Sequence, residues 1–388
     1  MMIYLKRTFH PVGQGAFFTE QFYDDAMEHV LYNVVYDCGS LSQGIRTQIE
    51  RDIRNCFSDR KKIDVLFLSH FDDDHVNYVK YLKNYGCLKG TRIFIPMMEA
   101  EEWLGIRPYY TNFRYILSLN EPNGGGTKVI KVAFQNEEDQ MSVIEDIEET
   151  TIPNGTQLIH DFNGIIWCYV PFNVRFKALI ALFKNLLTRN QLDYYKLRDA
   201  DYVTKHIRDL RKIYRSLGKK PERGTAINLN SLLVMSYPMY QDKCKCLGHR
   251  RMFRCYYDCL VRSWRDGYMG SCLYTGDTSA NDSDVWQTIE QMITRCFKND
   301  EKLVMLQVPH HGSKYSYDQK LVDSDKFLHG FTNYDPYYRQ HVFDDNLPMK
   351  FAARGKQLVL VTREYASQFE AYYQLLGVKR TVHPNCFL

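Results

Sequence analysis

"KIDVLFLSHFDDDHVNYV", residues 62–79, runs from an unbroken apolar segment into two histidines and three aspartates, then returns to apolar residues. Its first eight residues have the continuous hydrophobicity of a strand covered on both faces. Val76, Val79 and Leu82 then fit one face of a helix. Between strand and helix sits more charge than a chain leaving its core ordinarily carries. Carboxylates beside neutral imidazoles are costly to desolvate unless positive charge sits among them. In extended backbone His70, Asp72 and Asp74 project to one side, and His75 joins them as the chain turns into the helix. Nitrogen and carboxylate donors together suit Zn²⁺, Mn²⁺ or Fe²⁺ better than Ca²⁺ or Mg²⁺. The competing reading is an acidic N-cap, with Asp73 or Asp74 binding free backbone N–H groups, and it leaves both histidines unexplained.

Outward from this stretch, strands and helices alternate. "MIYLKRTF" (2–9), "GAFFTEQF" (15–22) and "VLYNVVYD" (30–37) predict strands between turn-formers. Ile45, Ile49 and Ile53 recur every fourth residue and predict a helix over 43–57, and "TRIFIP" (91–96) predicts the next strand. This order implies a layered α/β domain. Further on, "EPNGGGTK" is a turn and the acidic run at 137–149 is expected to be helical. "TQLIHDFNGIIWCYV" (156–170) reads as a hairpin turning at Asn163-Gly164. A helical pattern spans 172–217, and "NSLLVMSY" (230–237) and "SCLYTGD" (271–277) predict neighbouring strands. The last third reads as a helix at 285–297, strand "KLVMLQVP" (302–309), an aromatic loop region, strand "QLVLV" (357–361), a helix at 368–376 and strand "KRTV" (379–382). The expectation is a single domain over 1–388, with a basic helical insertion at 172–224 and a basic excursion bearing Cys and His at 241–270.

Two more strand ends carry ligand-type side chains. In "CLYTGDTSANDSD" (272–284) Gly276 allows close approach and Asp277 is placed to bridge two metal ions, though Gly-Asp after a strand is also a common turn. In "VMLQVPHHGSKYS" (304–316) His310 and His311 follow an apolar strand; the alternative is a helix cap with Ser313. "CKCLGHRRMFRCYYDC" (244–259) gathers Cys244, Cys246, His249, Cys255 and Cys259, a composition compatible with a structural zinc site but not at a standard spacing. His10 and His160 sit next to turns and, with His383, read as satisfied surface histidines rather than ligands.

Together these segments resemble the metallo-β-lactamase superfamily. Within it, "SHFDDDHVNYV", "NLNSLLV", "YTGD", "VPHHGSKYS", "VGQGAFF" and "YDCGS" are similar to the ComEC-like branch, the hydrolase domain attached to a bacterial competence DNA-uptake protein. The resemblance covers residues 12–316 in scattered blocks and fades over 99–224. It implies a four-layered αββα sandwich with a helical insertion and a two-metal site, zinc or manganese, on the rim where strand ends meet. The ligands it implies are His70, Asp72, Asp74, His75, Asp277 and one of His310 and His311, with His311 favoured because it precedes Gly312. Catalysis then falls to Asp74, His311 and Asp277, and substrate contacts to Asn228, Asn230, Ser231, Ser313 and Lys314. Asp72 stands where most of the superfamily has a second histidine. The strand that commonly supplies a further histidine reads "INLNSLLV" here, and the branch's late Tyr-Gly-His-Pro motif is replaced around Tyr365 to Ser367.

Composition narrows the partners. With 25% charged and 45% hydrophobic residues the chain has the balance of a folded globular protein. No apolar run reaches membrane-spanning length and no signal peptide opens the chain, so a cytoplasmic protein is expected. Eleven cysteines, an odd number, read as reduced thiols. Residues 204–223 carry eight Lys/Arg against two acids and residues 243–265 seven against one. Such segments suit a polyanion, although charge runs also form solvated helix faces. The function expected is therefore a metal-dependent hydrolase, a nuclease or other phosphodiesterase acting on nucleic acid. The alternatives are hydrolysis of a small ester, cyclic nucleotide or amide in the same site, or a metal-stabilised regulatory or interaction module.

Overall fold

The computed structural model describes residues 2–97, 107–121, 126–134, 143–144, 150–175, 177–217, 230–239, 244–251, 270–281, 283–297, 302–317, 319–338 and 343–376. Strands β1 (Met2–Phe9), β2 (Phe17–Tyr23) and β3 (Val30–Cys38) form an antiparallel meander. From β3 the sheet continues in parallel through β4 (Val65–Phe67), β5 (Arg92–Pro96) and β6 (Lys128–Val132). Parallel pairing needs a crossover at each step. Those crossovers contain α1 (Arg46–Cys56), then α2 (Asp73–Val76) with α3 (Val79–Tyr85), then α4 (Arg107–Leu117).

The second sheet begins with β7 (Val143–Ile144), while β8 (Thr151–Ile152) closes one edge of the first. Next, β9 (Gln157–Asp161) and β10 (Ile166–Arg175) form the expected hairpin, with Asn163 and Gly164 at φ 55° and 91° as a type I′ turn requires. Helices α5 (Lys177–Arg189) and α6 (Ala200–Leu217) precede β11 (Asn230–Pro238), which pairs back onto β10. Strand β12 (Cys244–Arg251) crosses to the other edge of the first sheet. The second sheet resumes with β13 (Cys272–Tyr274), antiparallel to β11, and three parallel additions, β14 (Leu303–Gln307), β15 (Phe327–Asn333) and β16 (Gln357–Val361). Between them lie α7 (Ser283–Cys296), α8 (Gln319–Asp323) and α9 (Leu347–Ala352). Finally β17 (Phe369–Leu376) returns to the first sheet between β12 and β1.

Three cores define four layers. Between the sheets, Phe18, Tyr36, Phe67 and Phe94 of the first pack with Trp167, Leu232, Val234, Tyr274 and Phe331 of the second. On the outer side of the first sheet Ile49 and Ile53 of α1, Val79 and Leu82 of α3 and Phe113 of α4 cover Val35, Leu66 and Ile93. On the outer side of the second, Val285, Ile289 and Ile293 of α7 cover Leu233, Leu273 and Leu306. The fold is the αββα sandwich that the sequence resemblance implies. Helices α5 and α6 close over a small core of their own, with Phe183, Leu187, Leu210 and Ile213 buried in it.

Several expectations need correction. Residues 369–376 form a strand, not a helix: Phe369, Ala371, Tyr373 and Leu375 are buried at period two and the strand pairs with β1 along its length. Val143–Ile144, inside the expected acidic helix, is a strand, and most of that run lies outside the described residues. The helical pattern expected from 172 begins at Lys177, because 172–175 complete β10. Val76, Val79 and Leu82 lie on two short helices rather than one. Residues 379–382, His383, Cys255 and Cys259 lie outside the described residues, and Cys244, Cys246 and His249 are described by their backbone in β12. Cys38, Cys56, Cys87, Cys168, Cys272 and Cys296 are free thiols. Among the described residues no helix is long and apolar enough to cross a membrane.

Candidate metal centre

The ligand-bearing segments meet where β4, β13 and β14 end. Beyond β4, Asp72 caps α2 with its carbonyl, which accepts from the N–H groups of His75 and Val76 at 3.0 and 3.2 Å. Asp74 thus reaches the site from a helical turn, not from the extended backbone expected of it. Gly276, at φ +56°, lies so close to this segment that a Cβ on it would stand 2.6 Å from the Ser69 Cβ. The Gly276 carbonyl in turn accepts from the His310 N–H at 3.1 Å. His310 and His311 are both left-handed, at φ 51° and 55°. Consecutive non-glycine residues in that region are strained, and here the strain turns two successive imidazoles towards the same carboxylate.

Distances sort the cluster around that carboxylate. Asp277 Oδ1 lies 3.2 Å from His75 Nε2 and 3.7 Å from His311 Nε2. Its Oδ2 lies 3.6 Å from His310 Nε2 and 3.9 Å from His70 Nε2. Asp74 Oδ2 is 3.2 Å from His311 Nε2, and Asp72 Oδ2 is 3.6 Å from His70 Nε2. Asp74, His75, Asp277 and His311 make one group whose donor atoms all lie within 4.8 Å of one another, and His70, Asp72 and Asp74 make a second. The resemblance implies one of His310 and His311, whereas the structure brings both to Asp277, on different oxygens.

Each imidazole is held by its other nitrogen. His75 Nδ1 donates to Asp37 Oδ2 (2.8 Å) and His311 Nδ1 donates to the Asn333 carbonyl (3.1 Å). Ser69 Oγ donates to Asp37 Oδ2 (2.7 Å), which leaves it to accept from His70 Nδ1 at 2.8 Å. His310 Nδ1 lies 2.9 Å from Ser316 Oγ. Acceptors behind Nδ1 fix the tautomer that presents Nε2 and its lone pair inward. Asp37, Ser69 and Asn333 were not among the expected site residues. "YDCGS" offered one signal, a carboxylate at a strand end before Cys-Gly. A backbone carbonyl such as that of Asn333 leaves no trace in sequence.

The electrostatics call for a cation. His70 and His75 are fully buried, Asp74 and Asp277 nearly so. His70 Nε2 is buried without a hydrogen-bond partner. Burial alone would raise the Asp277 carboxyl, but His310, His75 and His311 hold it well below the usual range. Burial would likewise lower His75, yet Asp277, Asp37 and Asp74 raise it well above an ordinary imidazole. Asp72 is pushed up to about 8, first by burial and then by the charges of Asp74 and Asp277. The raised His75 and Asp72 express buried negative charge around them, while the lowered Asp277 expresses the imidazoles that face it. A mixed set of imidazole nitrogens and carboxylate oxygens at this spacing fits divalent transition ions.

The expected substrate contacts fall differently. Ser231 is buried and shares its sheet face with Leu233 and Met235, beneath α7, while Leu232 faces the inter-sheet core. Ser313 accepts from the Tyr315 N–H (3.3 Å) within its own turn. Lys314 is exposed and lies over the Tyr315 ring. Asn228 lies outside the described residues, and Asn230 is described by its backbone in β11. His160 stacks on Tyr32 at 3.8 Å, away from the cluster.

No family model and no curated protein matches the chain. Among solved structures it is similar to the metallo-β-lactamase fold protein YhfI from Bacillus subtilis, at 11% identity and TM-score 0.42, over 94% of this chain and 99% of that one. It is also similar to a long form RNase Z from yeast, at 12% identity and TM-score 0.38, over 95% of this chain and 41% of that one. Neither likeness bears on what this chain binds or turns over.

Proposed function

We propose that the chain is a metal-dependent hydrolase cleaving phosphodiester bonds, with nucleic acid as its substrate class. The observation that carries the reading is the division of Asp277, one oxygen towards His75 and His311 and the other towards His70 and His310. Asp74, His75, Asp277 and His311 would hold one ion; His70, Asp72, Asp277 and His310 a second. In this reading His310 supplies the nitrogen that "INLNSLLV" does not. Zinc or manganese, bound as such a pair, would polarise a phosphoryl oxygen and lower the pKa of water towards neutrality. The chain's own contribution is orientation. Asp37, Ser69 and Asn333 aim the imidazoles, and the 3.2 Å approach of His311 Nε2 to Asp74 Oδ2 brings a nitrogen and an oxygen donor together for the first ion. The two basic segments at 204–223 and 243–265 favour a polyanionic substrate.

The test is to purify the chain, quantify bound metal and assay single- and double-stranded DNA, RNA and an activated phosphodiester with Mn²⁺ or Zn²⁺ added. The expected result is two ions per chain and cleavage of nucleic acid, both lost in Asp277→Asn and His75→Ala. Turnover of small esters alone would favour the small-substrate alternative. Bound metal without turnover of anything would favour the interaction module.

A further inference from the structure

The turn after β15 presents a ring that the metal centre does not use. Asn333, whose carbonyl holds His311, ends β15, and the chain passes at once through Asp335 to Tyr337 and Tyr338. Asp335 is only 2% exposed, and its carboxylate accepts from Ser42 Oγ (2.6 Å) and from the Tyr337 N–H (2.9 Å). That buried anchor fixes the backbone of Tyr337, yet Tyr337 itself is 68% exposed. The Arg363 guanidinium lies over the ring at 4.3 Å from its centroid and 3.8 Å from Asp335. A ring anchored from below, backed by a guanidinium and left mostly in water has the construction of a stacking surface.

This surface belongs to the rim of the metal centre. Ser42 Oγ, besides donating to Asp335, accepts from the Gln14 N–H (2.9 Å), and two residues on the Ala16 N–H donates to the Asp74 carbonyl (3.0 Å). Gly13 in the same loop lies so close to Arg363 that a Cβ on it would stand 3.0 Å from the Arg363 Cβ. One loop therefore packs against both Asp74 and the arginine that backs the ring. Next to Tyr337, the Tyr338 phenol is raised by burial and by the charge of Asp74.

We infer that Tyr337 and Arg363 form a subsite for an unpaired nucleobase, on the nucleotide adjoining the phosphodiester to be cleaved; this rests on the hydrolase reading above. Every base has a flat face, but a duplex hides it, so the subsite selects single-stranded segments. The test measures binding and turnover separately in the full, metal-loaded chain. Anisotropy with a fluorescent, nuclease-resistant phosphorothioate oligothymidylate should show Kd raised about tenfold in Tyr337→Ala and unchanged in Tyr337→Phe, in line with ordinary base–aromatic stacking. An unchanged Kd in Tyr337→Ala overturns the subsite. In turnover, Tyr337→Ala should raise KM about tenfold for thymidine 5′-p-nitrophenyl phosphate and leave methyl p-nitrophenyl phosphate, which carries no base, unaffected. Equal losses on both esters also overturn it. If the wild type cleaves neither ester while the Kd difference persists, the hydrolase reading fails and the base-binding surface stands.

Discussion

At Asp277 the two oxygens of one carboxylate face different imidazole pairs, so the site depends on how those rings are aimed more than on how many there are. Asp37 aims His75 and, through Ser69, His70. Asp37→Asn keeps the shape but replaces the acceptor by a neutral amide, and should lower metal affinity about 10–100-fold while leaving stoichiometry at saturation unchanged. Competition against a chelator measures this, and an unaltered affinity would remove Asp37 from the site's support. The convergence of these His and Asp side chains is legible in sequence because such residues crowded at strand ends have few other uses. His10 is not the surface histidine that its place beside a turn suggests, since a turn-side position says nothing about what folds over it. It is buried, stacked on Phe17 and 3.0 Å from Thr19 Oγ1, and burial followed by the charge of Lys6 presses its pKa down to about 3. Between about pH 6.5 and 3 the unfolded chain therefore takes up a proton that the folded chain refuses, so stability is complete above that window and falls as pH drops into it. Lowering pH from 7.5 to 5.0 should cost about 2 kcal/mol through His10 alone. Urea denaturation at both pH values should show this part of the loss missing in His10→Gln; equal losses in the two proteins would contradict it.

At the scale of elements, what positions the cluster is the abutment of turns. Gly39, just after β3, lies against the first turn of α2: a Cβ there would stand 2.4 Å from the Asp74 carbonyl carbon and the His75 nitrogen. Backbone cannot yield as a side chain can. Gly39→Ala should cost about 1–3 kcal/mol by overpacking and weaken metal binding by displacing Asp74 and His75 together. Thermal denaturation and metal titration check both halves, and a variant with unchanged melting temperature and affinity would mean α2 has room to move. The same closeness explains what sequence could and could not reveal. β1, β3, β5 and the Asn163-Gly164 hairpin were legible because their patterns are local. In β17, Phe369, Tyr372, Tyr373 and Leu376 also fit helical spacing, and only pairing with β1 decides for the strand. β15 was lost in a stretch read as aromatic loop, yet its end supplies the carbonyl that orients His311.

Across the whole molecule, the two sheets are joined by more than apolar packing. Glu20 of β2 points into the sandwich, where its carboxylate accepts from Arg7 Nε, Tyr169 OH, Ser236 Oγ and Tyr274 OH at 2.7–3.0 Å, linking β1, β2, β10, β11 and β13. With every lone pair engaged, this buried charge fixes the register of both sheets. Since Tyr274 ends β13, the clasp also sets where the Gly276-Asp277 turn begins. The sandwich thus carries its own means of assembling the metal centre. The helices α5 and α6 do not enter that clasp, and they leave and rejoin at Arg175 and Asn230, which are paired residues of β10 and β11. Two paired residues at the end of an antiparallel ladder can be joined by a two-residue turn. Replacing residues 176–229 by Asn-Gly should therefore leave a cooperatively unfolding protein that holds two metal ions and cleaves a small activated phosphodiester at an undiminished rate. The excised segment contains the basic run at 204–223, so affinity for a single-stranded oligonucleotide should fall, and its dependence on salt should become shallower as phosphate contacts are removed. If nucleic-acid cleavage survives the excision with unchanged salt dependence, the insertion plays no part in substrate binding and the substrate class has to be argued from the rim alone. If metal binding is lost with the helices, the sandwich does not assemble the centre by itself.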